Sequence, residues 1–199
     1  MLTEKLPELA VPHLVERRSM TAQVQALNAD LLSHDSATAV LQSLCDRRDS
    51  SSPRIRARKM SVVKSEREFE AIRCQMGAQA DAAIRHRRVD LMCGELVLCR
   101  ADNWYLPDRL TDEMNAQLLV GETPFGVVVR ALGFQRRTLS SKLLFEPLPP
   151  ERNDGLAPDF EPVASPPEDL LQHEAILQTP DGRPFSLLLE TYTKHILIA

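Results

Sequence analysis

The sequence predicts an α+β protein: a single antiparallel β-sheet with helices packed on one side. Two hairpin signatures predict the sheet. Ile84–Cys93 and Leu96–Leu106 flank Gly94-Glu95, and Leu170–Thr179 and Pro184–Ile198 flank Pro180-Asp181-Gly182. Hairpins impose antiparallel pairing. Capped helical segments interrupt the strands and supply the second layer. The 199-residue chain is 43% hydrophobic and 26% charged, ordinary for a packed domain of this length.

The elements are read in chain order. Met20, Val24, Leu27, Leu31 and Leu32 recur at helical spacing, so Leu14–Leu32 is a helix. Asp35-Ser36 caps a second helix over Ala37–Cys45, with Ala37, Val40, Leu41 and Leu44 on one face. Residues 1–52 are thus an N-terminal helical extension packed on a main domain, residues 53–199. Asp46–Ser52 is a polar loop. Arg54–Val63 alternates arginines with Ile55 and Ala57, a strand with one wet face. Glu66–Met76 fits either a helix or a bent strand. Thr111 caps a helix carrying Met114 and Leu118. Thr123-Pro124 opens a short helix through Leu132, with Thr as N-cap and Pro at the first helical position. Phe134–Leu148 reads as strand. Prolines 147, 149, 150, 158, 162, 166 and 167 make 147–167 a Pro-rich loop.

Composition narrows the function. A net charge of −4 does not favour nucleic acid as a partner. No stretch approaches the roughly 20 apolar residues of a membrane helix, and the N-terminus lacks an apolar signal core, so the chain reads as soluble and cytoplasmic. Cys45, Cys74, Cys93 and Cys99 form no metal-binding spacing and read as reduced, buried thiols. The five histidines are scattered, so no metal site is expected. Oligomeric state is not readable.

One constellation carries chemistry. Arg88-Val89-Asp90-Leu91-Met92-Cys93 is followed by Asn103-Trp104-Tyr105-Leu106-Pro107. Then come Thr123-Pro124-Phe125-Gly126 and, near the end, Leu188-Leu189-Glu190. In order and spacing this resembles the chorismate pyruvate-lyases over about residues 53 to 199. The resemblance implies a chorismate lyase-like fold and conversion of chorismate to 4-hydroxybenzoate and pyruvate without a cofactor. It assigns Arg88 to hold a substrate carboxylate in a bidentate fork and Glu190 to face the ring hydroxyl. Thr123, Phe125 and Gly126 would offer backbone N–H groups to an anion, Phe125 foremost. The partner implied is a small aromatic or enol-ether carboxylic acid.

The sequence departs from the lyases at Asn103, which stands four residues before Pro107 where they carry a second arginine. Asn supplies a dipole and no charge. Either Arg85, Arg87, Arg136 or Arg137 replaces that charge, or the ligand is less anionic than chorismate. The alternative is a non-catalytic binder of small aromatic acids. The lyase fold resembles the effector-binding domains of certain transcription regulators, although the sequence has no recognisable winged helix.

Overall fold

The alternation read in the sequence builds one sheet. The computed structural model describes residues 10–48, 53–61, 66–145 and 166–198. Six strands, β1 (Arg56–Met60), β2 (Arg85–Cys93), β3 (Leu96–Tyr105), β4 (Gln135–Leu143), β5 (Asp169–Gln178) and β6 (Pro184–Thr193), lie in the order β1-β2-β3-β6-β5-β4. Every neighbouring pair is antiparallel. Both predicted hairpins form, β2–β3 about Gly94 and β5–β6 about Gly182, each glycine at positive φ.

Helices α1 (Ala10–Ser33), α2 (Ala37–Arg48), α4 (Asp112–Val120) and α5 (Phe125–Val128) cover one face; α5 continues as a 3-10 turn, Val129–Leu132. Val24, Leu27 and Leu31 of α1 and Val40, Leu41 and Leu44 of α2 share a core with Leu91, Cys99, Leu171 and Tyr192 of the sheet. Met114, Leu118 and Phe125 extend that layer over Tyr105, Leu177 and Leu188. The ambiguous segment is a helix, α3 (Glu66–Gln75). It lies on the reverse face, where Ile72 and Met76, one turn apart, meet Leu106, Ile176 and Leu187. The one-sided arrangement therefore holds for four helices, with α3 added behind.

Local chemistry sets several boundaries. Ser36 caps α2, its hydroxyl accepting from Ala39 N–H at 3.3 Å. Thr111 caps α4, accepting from Met114 N–H at 3.2 Å. At α5 the cap is Pro124, which offers no side-chain bond, and Thr123 stands one residue outside the helix. The end of the predicted first strand (62–63), the loop residues 49–52 and the Pro-rich stretch 146–165 lie outside the described residues.

The cysteine expectation is corrected. Cys45 and Cys93 form a disulfide, with Cα atoms 6.1 Å apart. Packing α2 across β2 brings together two residues separated by 48 positions, which linear spacing does not reveal. Cys74 is exposed, and Cys99 is a buried thiol. No described helix is long and apolar enough to cross a membrane.

Gly121 closes α4 at φ 100°, and a Cβ there would lie 3.1 Å from Cδ of Lys59. Gly121→Ala is expected to lower stability by about 1–2 kcal/mol, read from the urea midpoint. An unchanged midpoint would contradict this account of the turn.

Candidate functional site

A cavity opens between the helical layer and the sheet where α2 and α5 both begin. Its empty space, mouth included, is about 390 Å³. The enclosed part is about 30 Å³, far below the roughly 300–1,000 Å³ of formed ligand clefts, so an aromatic ring enters only if the walls move apart. Val89, Asn103, Leu188 and Glu190 floor it, Phe125 and Phe134 wall it, and Ser36 to Thr38 form its rim. The two helix starts lie side by side at Gly126, with room for no more than a small side chain. A Cβ there would lie 3.5 Å from both the Ser36 and Thr38 hydroxyl oxygens.

The site's charge is a buried ion pair. Arg136 of β4 donates from Nη2 to Oε2 of Glu190 on β6 at 2.7 Å, with side chains only 2% and 6% exposed. The Tyr192 hydroxyl donates to the same oxygen at 3.0 Å. Buried charges persist when paired and hydrogen-bonded, and both conditions hold here. Burial alone would pull the Arg136 guanidinium down. The Glu190 and Tyr192 oxygens outweigh it and hold the group above its ordinary value. Burial, then Glu190, pushes the Tyr192 hydroxyl well up, so it remains a donor. Asp35 fixes the strand from outside, accepting from Arg136 backbone N–H at 2.7 Å.

His173 pairs with Glu190 across β5–β6 and is fully buried. One ring nitrogen, Nε2, meets Asn28 Oδ1 at 2.7 Å. Burial, and then the Arg136 charge, lower its pKa to about 4.

A second arginine occupies the same sheet face. Arg87 sits directly opposite Asn103 in the β2–β3 register and is 3% exposed. Its Nη2 donates to the carbonyls of Gly121 at 2.9 Å and Thr123 at 2.8 Å. Its Nε and Nη1 are buried without a partner, as are Arg136 Nε and Asn103 Oδ1. Burial lowers its pKa, the nearby Tyr105 partly opposing. No carboxylate pairs with Arg87 among the described residues.

Four of the six residues singled out in the sequence, Asn103, Phe125, Gly126 and Glu190, line this cavity. Thr123 contributes its carbonyl to Arg87. Arg88 is not in the site, which corrects the expectation that it shares a pocket with Glu190. Successive strand residues face opposite ways, and Arg88 pairs in register with Asp102, whereas Glu190 is opposite Ala101. Arg88 therefore lies on the reverse face, gripping Asp102 in a fork of 2.8 and 2.9 Å. His86 Nε2 shares that carboxylate at 2.7 Å, with its ring stacked on Trp104. Burial would raise the Asp102 carboxyl, but its hydrogen bonds to His86 and Arg88 prevail and lower it.

Sequence reading named Arg136 and Arg87 only as substitutes for the missing charge, and it missed Asp35, Ser36, Thr38 and Phe134 as cavity residues. Only the N-cap pattern at Asp35-Ser36 marked that stretch. Among the described residues no cluster of three His, Cys, Asp or Glu side chains fits a metal ion.

Fold and site together define a single-sheet α+β domain with a small, charge-paired internal cavity. The chain belongs to the same family as the uncharacterized protein y4mC of Sinorhizobium fredii. The two are 38% identical over 190 residues, 92% of this chain and 78% of that protein. No family model matches the sequence. Among solved structures, PhnF of Mycobacterium smegmatis aligns over 83% of this chain with a TM-score of 0.49 at 9% identity. The match covers 66% of PhnF, just under two thirds. A Bordetella bronchiseptica structure described as the ligand-binding domain of a GntR-family transcriptional regulator aligns over 72% of this chain and 85% of its own. Its TM-score is 0.43 at 16% identity. Scores below 0.5 at such identities establish neither a common ligand nor a common function.

Two outcomes follow from the site. Removing one partner of a buried pair strands the other charge. Glu190→Ala is therefore expected to cost about 3–5 kcal/mol in chemical denaturation, and Arg136→Met with Glu190→Leu markedly less. Equal costs would contradict a paired site. Below pH 6.5 the unfolded chain binds a proton at His173 that the folded chain refuses until about pH 4. Stability therefore falls as pH drops through that window. His173→Gln is expected to flatten the fall, and an unchanged slope would remove His173 from it.

Proposed function

We propose that this chain binds a small hydroxylated aromatic monocarboxylic acid in the cavity, without turning it over. Arg87 is the observation that carries the reading. It is a buried guanidinium with two unpartnered N–H-bearing nitrogens; it lies beside the cavity and not on its lining, directly opposite the cavity-floor Asn103. An incoming carboxylate supplies the counter-charge that Arg87 has from no described residue. Asn103 Oδ1, unpartnered, accepts a ligand hydroxyl or N–H. Phe125 and Phe134 offer the ring apolar walls.

The charge inventory favours a monoacid. Arg136 already serves Glu190, and the other buried arginine of this sheet face, Arg87, has no carboxylate partner among the described residues. A dicarboxylate such as chorismate must detach Arg136 from Glu190 or leave one carboxylate unmatched, which costs affinity. The lyase reading keeps one specific support. Glu190, the acid that the resemblance assigns to the ring hydroxyl, does line the cavity.

Calorimetric titration with 4-hydroxybenzoate tests the proposal. Binding is expected to weaken about tenfold or more in Arg87→Gln and to persist in Arg88→Gln, since a hydrogen bond to a charged group contributes about 1.5–3 kcal/mol. The opposite ranking would relocate the site. Incubation with chorismate decides between binding and turnover. Equal yields of pyruvate and 4-hydroxybenzoate, absent with Glu190→Gln, would establish the lyase.

A further inference from the structure

We propose that the Cys45–Cys93 disulfide is a redox-sensitive latch that sets how firmly α2 walls the cavity. The inference rests on the cavity being the binding site. Both cysteines belong to elements that line it. Helix α2 begins at the rim with Ala37 and Thr38 and carries Cys45 further along its length. Strand β2 contributes Val89 and Leu91 to the floor and ends at Cys93. The bond thus fixes the spacing between rim helix and floor covalently. Otherwise α2 is held by core packing, by Arg48 donating to the His195 and Leu197 carbonyls, and by Gln42 accepting from Ile55 N–H.

Cys45 is fully buried and Cys93 is 7% exposed, so a reductant reaches the Cys93 side first. One thiolate of a dithiol attacks that sulfur and forms a mixed disulfide, and Cys45 leaves as a thiolate that takes up a proton. The dithiol's second thiolate then closes on the first, releasing Cys93 as a thiol. Two electrons pass to the protein and the dithiol departs as its cyclic disulfide. Reoxidation runs the same exchange in reverse against a small-molecule disulfide. The cross-link constrains a long segment, 48 positions between the two cysteines, so its loss frees α2 to open locally.

The test uses the full chain, air-oxidised and dithiothreitol-reduced, followed by amide hydrogen exchange and by 4-hydroxybenzoate titration. Peptide mapping without reductant is expected to recover Cys45 linked to Cys93. Reduction is expected to speed exchange of the α2 amides about tenfold or more and to weaken 4-hydroxybenzoate binding in step. Cys93→Ala is expected to match the reduced protein and to stop responding to dithiothreitol. Identical α2 exchange in both redox states, or free Cys45 and Cys93 thiols in the oxidised protein, would overturn the latch. Exchange that responds while neither form binds the acid supports the latch and removes the ligand reading instead.

Discussion

The buried pair of Arg136 and Glu190 is the constraint on which the sheet and the cavity both depend. Their side chains are 2% and 6% exposed, so neither charge is tolerable alone. The pair spans β5 and ties the edge strand β4 to β6. That tie adds to the backbone ladder with β5 in holding a polar, exposed strand in the sheet, since β4 buries little apolar surface of its own. The same pair engages Tyr192 as a donor and charges the cavity floor, while burial first and the Arg136 charge second lower the His173 pKa. The most deeply buried ion pair among the described residues and the charge of the site are therefore one feature.

Most of the architecture was legible in local patterns. Period-two alternation, two glycine turns and two hydroxyl-capped helices located β2, β3, β5, β6, α2 and α4 within a few residues. Segments with weak local signals were harder. Glu66–Gln75 fits either periodicity, and its burial beneath the sheet through Ile72 and Met76 decides for helix. At α5, Pro124 takes the cap position that Thr123 was expected to fill, because two adjacent residues each favour a helix start.

The residues named from the sequence divide between the two faces of the sheet. Asn103, Phe125, Gly126 and Glu190 line one cavity, since each lies at the end or on the face of a regular element. Arg87 and Arg88 are adjacent, and a pleated strand sends neighbours to opposite faces, so a one-residue ambiguity becomes a change of side. Val89, Leu91 and Cys93 all face the helical core, so alternation along β2 puts Arg87 on that face and Arg88 behind it; the register shift after Leu91 skips Leu98 on β3. The Arg136–Glu190 pair joins residues 54 positions apart, and the disulfide joins residues separated by 48. No local pattern encodes either, because tertiary packing alone makes the neighbours.

Amide chemical-shift mapping of the labelled protein during titration with 4-hydroxybenzoate tests the central claim most directly. The account predicts shifts clustered at Ala37, Thr38, Arg87, Asn103 and Gly126, on the helix-covered face. Shifts centred instead on Arg88, Asp102 and Trp104 would place the ligand behind the sheet and contradict it.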